Sequence, residues 1–248
     1  MKKFIITCAV AGALVSQADV VTNSITATQD TYLRRATPTA DSGNMVTLMM
    51  WQGTSRPIME YDLSGITGEI TSVTLNVVMS GSKPNAWGMS VSPMVYTANN
   101  YSWVEGVGTT QNNTDALTTG SACHTNRNGN TFAAWEDSTG TALNNAESAA
   151  LWDVVIGSTN GAAWVGGTTI SITLDAATVE YYRDNYGKIV LGLSNPGGEA
   201  TDFTIFSKDE SSAWRHPTLT IVTVPEPASI GLLAISAVVL MLRRKLIR

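Results

Sequence analysis

Four stretches of the chain alternate apolar and polar residues with a period of two. The apolar positions that share one face in these stretches are Val73, Leu75, Val77 and Met79; Ile170, Ile172 and Leu174; Ile189, Leu191 and Leu193; and Leu219 and Ile221. Successive side chains of a strand point to opposite faces, so this pattern predicts half-buried antiparallel strands. Turn-forming residues cluster between the strands, as in SGSKPNAWG and SNPGGEATD. The pattern predicts an all-β fold, an antiparallel β-sandwich.

Helical patterns are short and few. The stretch 144–155 predicts a short helix capped by Asn144 or Asn145, and the stretch 175–185 predicts two helical turns behind an Asp175 cap. Between about residues 99 and 167 the pattern is irregular. This segment contains four tryptophans, which disordered segments rarely do, so we expect it to pack on the sandwich. The four are Trp103, Trp135, Trp152 and Trp164, and we expect Trp103 and Trp152 to be core residues.

The N-terminus has the three parts of a secretory signal peptide. Lys2 and Lys3 precede an apolar run over 4–15, and the small residues of Ser16-Gln17-Ala18 precede Asp19. A basic start, an apolar centre and a small-residue cleavage site in this order predict that residues 1–18 are removed on export. The alternative is a buried N-terminal helix.

The C-terminus joins a Pro-Glu-Pro triplet (Pro225, Glu226, Pro227) to an uncharged run over 228–242 and a basic end over 243–248. As a helix the run would span about 22 Å at ~1.5 Å per residue, against a hydrocarbon core of ~30 Å. It therefore predicts one short transmembrane helix, suited to temporary anchoring, with its arginines on the cytoplasmic side.

This tripartite end closely resembles the PEP-CTERM sorting signal of bacterial exopolysaccharide producers. The resemblance implies that an exosortase-type membrane transpeptidase processes the chain near Pro225–Pro227 and passes the body to the cell surface or the medium. A plain tail anchor is the alternative interpretation. Residues 225–248 are thus interpreted as a sorting signal, which predicts export through the inner membrane, transient anchoring and an extracellular destination.

The body between the two terminal segments, 19–224, is acidic. It retains 9 of the 15 basic residues and 19 of the 20 acidic residues, which gives a net charge of −10. Nucleic acid and anionic lipid select for basic surfaces, so neither is an expected partner. Cys8 lies in the signal peptide, so the body cannot form an internal disulfide. We expect Cys123 to be buried or incidental, although a thiol–imidazole pair with His124 is the alternative.

Several motifs of the body resemble the DNRLRE-type domain, which is related to the family-96 carbohydrate-binding modules. They are QDTYLRRATPTADSGN, RPIMEYDLSGI, ITSVTLNVVM, YSWVEGVGTT, HTNRNGNTFAAW, ISITLDAATVEYY and FTIFSKDESSAWRHPTLTI, in that order over residues 28–222. The resemblance implies a jelly-roll-like β-sandwich and a binding role for the closing motif, at Lys208 and Glu210. In this chain Lys208 replaces the arginine of that motif, and Asp209 precedes Glu210.

The usual signatures of nucleophilic, zinc and nucleotide chemistry are missing from the sequence, so we expect no enzyme activity. Two acidic pairs, Glu136-Asp137 and Asp209-Glu210, suit glycosidase chemistry only if they face each other across a cleft. A polysaccharide hydrolase or lyase is therefore the third hypothesis. Calcium is a candidate cofactor, because hard oxygen ligands lie near predicted turns. These ligands are Asp30, Asp41, Asp62 and Asp202.

Non-catalytic polysaccharide binding is the first hypothesis. Aromatic faces stack on the apolar surfaces of sugars, and planar polar side chains pair with hydroxyls. The candidate ligand-binding residues are Arg34, Trp51, Arg56, Trp87, Trp135, Lys208, Glu210 and Trp214. The acidic body favours a neutral or mixed polysaccharide over a polyanion. The second hypothesis is a structural protein of the exopolysaccharide matrix that has no specific ligand, with its aromatics scattered or buried.

Overall fold

The computed structural model describes residues 19–36, 38–39, 42–51, 55–82, 88–94, 100–109, 121–124, 126–128, 133–146, 151–152, 154–159, 163–195 and 202–225. The predicted signal peptide, the predicted transmembrane helix over 228–242, Trp87 and Asp41 lie outside this range, as do residues 147–150 and 153 of the helix expected over 144–155. Among the described residues, no helix has the length and apolar character needed to cross a bilayer.

Antiparallel strands dominate the described chain. The strands are Val21–Thr26 (β1), Gln29–Arg34 (β2), Thr47–Trp51 (β3), Ser55–Asp62 (β4), Glu69–Val78 (β5), Met89–Pro93 (β6), Asn126–Asn128 (β7), Ala133–Glu136 (β8), Ala142–Leu143 (β9), Gly157–Thr159 (β10), Thr169–Leu174 (β11), Lys188–Ser194 (β12), Asp202–Phe206 (β13) and Thr218–Val224 (β14). One α-helix, Ala176–Tyr186 (α1), and the 3-10 turns Asn100–Ser102 and Ala213–Arg215 complete the described elements. The prediction of an all-β sandwich is confirmed.

The first sheet has four strands in the order β1-β14-β5-β11. Strands β11 and β14 alternate cleanly, as half-buried strands should. In β11 the residues Ile170, Ile172 and Leu174 are buried, and the residues between them are exposed. The predicted inward positions of β5 and β14 are buried as well, so the period-two prediction is confirmed for this sheet.

The second sheet is larger, with the order β10-β6-β12-β4-β3-β13 and with β2 paired to β4. Its central strands are buried on both faces: in β12 every residue from Ile189 to Leu193 is buried. Met59, Tyr61 and Leu191 lie on one face of this sheet, and this face forms the hydrophobic core together with the buried face of the first sheet. Alternation alone therefore underestimates the burial of this sheet, because a second layer covers its other face.

That second layer comes from the irregular segment between β6 and β11. The ring of Trp152 packs on Gly192 of β12, and the carbonyl oxygen of Tyr101 accepts a hydrogen bond from Lys188 at the start of the same strand (2.8 Å). All four tryptophans of the segment are buried, which confirms the prediction that it packs on the sandwich. They are Trp103, Trp135, Trp152 and Trp164.

Helix α1 begins where the sequence predicts. The Asp175 side chain accepts a hydrogen bond from the backbone N–H of Thr178 (3.0 Å), as an N-cap should, and Gly187 ends the helix with a φ of 68°. Hydrogen bonds from Thr178 hold the pKa of Asp175 below its usual value. The helix then leads directly into β12.

Candidate ligand-binding surface before the last strand

The segment between β13 and β14, residues 207–217, presents one strongly exposed aromatic ring. Trp214 is 62% exposed and lies in the 3-10 turn Ala213–Arg215. Backbone hydrogen bonds from Arg215 to Ser212 (2.9 Å) and from His216 to Ala213 (3.2 Å) close the turn. Pro217 follows, and a residue before proline is restricted to extended backbone, so the turn stops at His216.

A guanidinium group lies over the exposed Trp214 ring. The Cζ atom of Arg215 lies 4.9 Å from the centre of the Trp214 ring and 4.6 Å from the centre of the Phe206 ring. Guanidinium groups stack favourably on aromatic faces. Phe206 is the last residue of β13, so the stack connects Trp214 to the end of a sheet strand.

Glu210 forms an ion pair with the guanidinium group of Arg215. Its Oε1 atom lies 3.3 Å from the Nη1 atom of Arg215, and its carbonyl oxygen lies 2.6 Å from the Nε2 atom of His216. The turn thus places an aromatic face, a planar donor and a carboxylate side by side. We call Phe206, Glu210, Trp214 and Arg215 the Trp214 surface.

Under the same segment lies a buried acidic cluster. Asp30 of β2, Glu105 and Asp209 each offer a carboxylate oxygen, and these oxygens lie within 4.8 Å of one another. The Lys208 ammonium contacts Glu105 Oε2 (2.8 Å) and Asp209 Oδ1 (2.9 Å), while its backbone N–H donates to Asp30 Oδ2 (2.7 Å). The Asp30 backbone N–H donates to Glu105 Oε1 (3.0 Å). Three distant segments of the chain meet here.

Burial dominates the electrostatics of this cluster. It raises the pKa of Asp30 well above its usual value, although the Lys208 backbone N–H opposes the shift. Burial also raises the pKa of Glu105, against hydrogen bonds from Lys208 and Asp30. A carboxylate withdrawn from water favours its neutral form unless a positive charge joins it.

The candidate binding residues do not converge on one surface. Lys208, Glu210 and Trp214 lie together on the segment before β14, as described above. Arg34 and Trp51 form a second group at the ends of β2 and β3, where both pair across with Ser55.

Two further candidates lie elsewhere. Arg56 belongs to the covered face of the second sheet, with its guanidinium 5.6 Å from the centre of the Trp152 ring. Trp135 is 0% exposed, and its indole N–H donates to the carbonyl oxygen of Cys123 (3.0 Å). The expectation that Trp135 presents a ring to a ligand is wrong, because the whole side chain is buried in the fold. Trp87 lies outside the described residues.

The candidate calcium ligands are also dispersed. Asp30 joins the acidic cluster, whereas Asp62 accepts a hydrogen bond from the backbone N–H of Ser64 (2.9 Å) in an exposed turn. Asp202 begins β13 opposite Trp51. Sequence reasoning missed Glu105 as a partner of Asp30, and it missed Arg215 as the support of Trp214. The Trp103-Val104-Glu105 stretch was visible as a motif, but nothing local to it indicates the long-range contact.

Cys123 is buried, in agreement with the expectation. Its neighbour His124 is buried as well.

Comparison with known proteins identifies the end of the chain. Residues 223–245 match the model of the PEP-CTERM protein-sorting motif. No curated protein matches the chain. The sorting signal predicted from the Pro-Glu-Pro triplet is therefore confirmed, and it implies export, transient anchoring at the membrane and processing by an exosortase.

Proposed function

We propose that this exosortase-sorted protein acts at the cell surface or in the extracellular matrix, where its β-sandwich binds polysaccharide without catalysis. The observation that carries the proposal is the exposed Trp214 ring, fixed by Arg215 and flanked by Glu210. An aromatic face held rigidly beside planar polar groups suits a sugar, because sugars combine apolar C–H faces with hydroxyl rims. The net charge of −10 over residues 19–224 favours a neutral or mixed polysaccharide.

The resemblance to DNRLRE-type domains supports the same proposal. Three motifs that carry it contribute Asp30, Glu105 and Lys208, and these residues contact one another in the buried cluster. Each motif alone is weak evidence for the resemblance. Contacts between residues of three separate motifs strengthen it. We therefore propose a jelly-roll-like sandwich of that type, with the Trp214 surface as its binding region.

The proposal includes no catalytic step, because both acidic pairs have structural partners. Asp209 contacts Lys208, and Glu210 contacts Arg215. Asp137 accepts hydrogen bonds from the backbone N–H groups of Thr139 (2.8 Å) and Thr141 (2.9 Å) in an exposed turn. Neither pair is aligned across a described cleft, so a hydrolase or lyase remains the weakest of the three hypotheses.

The test is a glycan array and an insoluble-polysaccharide pull-down with the full-length chain in a mild detergent, with calcium and with a chelator. Trp214→Ala should weaken binding roughly threefold to tenfold or more, since an aromatic contact contributes about 0.5–1.5 kcal/mol beyond its buried area. Tyr181→Ala is the matched control, because Tyr181 is 55% exposed but lies on helix α1. Both variants should retain the circular dichroism spectrum of the wild type.

A structural matrix protein without a specific ligand is the second candidate. It is favoured by the burial of four tryptophans and by the dispersal of the described candidate residues into separate groups. A folded protein that binds no glycan in any condition would contradict the binding proposal and leave the matrix role. Equal loss of binding in Trp214→Ala and Tyr181→Ala would remove the assignment to the Trp214 surface.

A further inference from the structure

The acidic cluster beneath residues 207–211 contains more negative charge than its neighbours neutralise. Asp30, Glu105 and Asp209 supply three carboxylates, and Lys208 supplies the ammonium group that contacts two of them. Lys208 contacts Glu105 Oε2 and Asp209 Oδ1, and the Asp30 backbone N–H donates to Glu105 Oε1, so Asp209 Oδ2 is left for a second cation.

Two of the remaining oxygens are buried without a partner. Asp30 is 0% exposed, and neither its Oδ1 atom nor Asp209 Oδ2 has a hydrogen-bond partner among the described residues. Buried polar atoms are nearly always hydrogen-bonded, and a buried charge is nearly always paired or bound to a metal. An orphaned oxygen on a buried carboxylate that belongs to a cluster of three acids therefore points to a missing positive charge.

We propose that this cluster binds one calcium ion, through Asp30 Oδ1, Asp209 Oδ2 and the Glu105 carboxylate. All three donors are carboxylate oxygens, and no histidine or cysteine belongs to the cluster, so a hard cation fits and a softer transition metal does not. Calcium accepts irregular oxygen shells, whereas magnesium requires a near-ideal octahedron. Asp30 is buried, whereas Glu105 and Asp209 are half-buried and lie nearer to solvent.

The rise in the pKa of Asp30 and Glu105 on burial is in keeping with this geometry, because an ionised carboxylate there needs a further cation. A proton on Asp30 is the competing way to remove the charge. Calcium binding and protonation of Asp30 can be distinguished by experiment, since only calcium binding makes the stability of the fold depend on the calcium concentration. The inference does not depend on whether the Trp214 surface binds a glycan.

The experiment measures calcium binding and thermal unfolding of the full-length chain in a mild detergent. After treatment with a chelator, the chain is titrated with calcium chloride by isothermal calorimetry, and its melting temperature is followed with calcium, magnesium or sodium chloride at equal ionic strength. We expect one calcium ion per chain, a dissociation constant of roughly 1 mM or tighter as in extracellular calcium modules, and a higher melting temperature with calcium alone.

Two variants and a control locate the site. Asp30→Asn keeps an acceptor for the Lys208 backbone N–H but removes the buried charge. Asp209→Asn keeps an acceptor for the Lys208 ammonium and removes a charge at the rim of the cluster. Each should lower calcium affinity at least about tenfold, because affinity follows the number of charged ligands. Asp62→Asn is the control, since Asp62 is an exposed carboxylate in a turn outside the cluster. It should bind calcium like the wild type.

The order of stability of Asp30→Asn and the wild type distinguishes calcium binding from protonation of Asp30, because only calcium binding reverses it. If calcium binds, Asp30→Asn is as stable as the wild type or more stable in chelator, and less stable than the wild type in calcium. Absence of calcium binding at concentrations up to about 10 mM, roughly ten times the weakest dissociation constant expected, would overturn the proposal. Binding that survives both Asp30→Asn and Asp209→Asn, or an equal stabilisation by sodium chloride, would overturn it as well.

Discussion

The packing of Trp152 on Gly192 offers a sharp test of how the irregular segment covers the second sheet. A methyl group built on Gly192 would lie 2.3 Å from Cζ3 and 2.8 Å from Cε3 of the Trp152 ring. Ordinary carbon–carbon contacts are ~3.5–4.0 Å, so Gly192→Ala must displace the ring by more than about 1 Å. The side chain has little freedom to move, because its indole N–H donates to the carbonyl oxygen of Ala146.

The expected magnitude combines two opposing effects. Overpacking a filled interior costs about 1–3 kcal/mol, whereas replacing glycine by alanine stabilises by ~0.4–1 kcal/mol through the unfolded chain. Gly192→Ala should therefore lower the free energy of unfolding by about 1–2 kcal/mol. Trp152→Ala should lower it by ~3–5 kcal/mol. In the Trp152→Ala background the new methyl group has space, so Gly192→Ala should become neutral or slightly stabilising.

The assay is urea denaturation of the four chains of this double-mutant cycle, followed by far-ultraviolet circular dichroism, since a tryptophan is removed. Gly81→Ala is the matched control, because a methyl group at Gly81 meets no atom within 4 Å. The expected coupling between the two sites is about 1–3 kcal/mol. Equal destabilisation by Gly192→Ala in both backgrounds would show that Trp152 does not pack on β12, and the two-layer account of this sheet would be wrong.

Three further predictions test local features. Asp175→Ala should destabilise the protein by about 1 kcal/mol through loss of the α1 cap. Because the pKa of Asp175 is lowered in the fold, the stability it contributes is present above its unfolded pKa of ~3.9 and is lost as the pH falls through the lower folded value, as acid titration of wild type and variant should show. Gly68→Ala should destabilise by at least about 1 kcal/mol in urea denaturation, because Gly68 has a φ of 85° and its new methyl group would lie 2.6 Å from the carbonyl oxygen of Val224. Cys123 should react with a thiol reagent only after unfolding, since it is buried; rapid native-state reaction would contradict its placement.

The first sheet could be predicted from sequence because its burial is decided locally. One face of β5, β11 and β14 meets the core and the other meets solvent, so alternation of side chains reports the fold directly. The same reading of KIVLGLS found Ile189, Leu191 and Leu193 but not the burial of Val190 and Gly192. Their burial depends on Tyr101 and Trp152, which come from a segment that has no periodic pattern.

The candidate surface was only partly predictable, for a related physical reason. Trp135 and Trp214 were both candidate ligand-binding residues, and of the two only Trp214 is exposed. The residues of a turn determine the local path of the backbone, but the exposure of a tryptophan side chain depends on which other segments pack over that side chain. The acidic cluster could not be found at all from spacing, since its hydrogen bonds join residues 75 and 178 positions apart in the chain.

The sorting motif and the sandwich share residues, and this constrains how processing can occur. The motif begins at residue 223, whereas β14 extends to Val224 and lies between β1 and β5. Thr223 and Val224 pair with Ile70 and Glu69 of β5, so the first residues of the motif belong to the sheet. A cut before Val224 would remove part of this pairing, whereas a cut after Val224 leaves the strand whole.

Pro225 is the point at which the chain can leave the sheet. Proline has no backbone N–H and cannot continue a ladder of hydrogen bonds, so pairing ends at Val224. No separate linker therefore lies between the described sandwich and the motif. Residues 19–224 carry a net charge of −10, so this part of the chain has no net electrostatic attraction to anionic lipid.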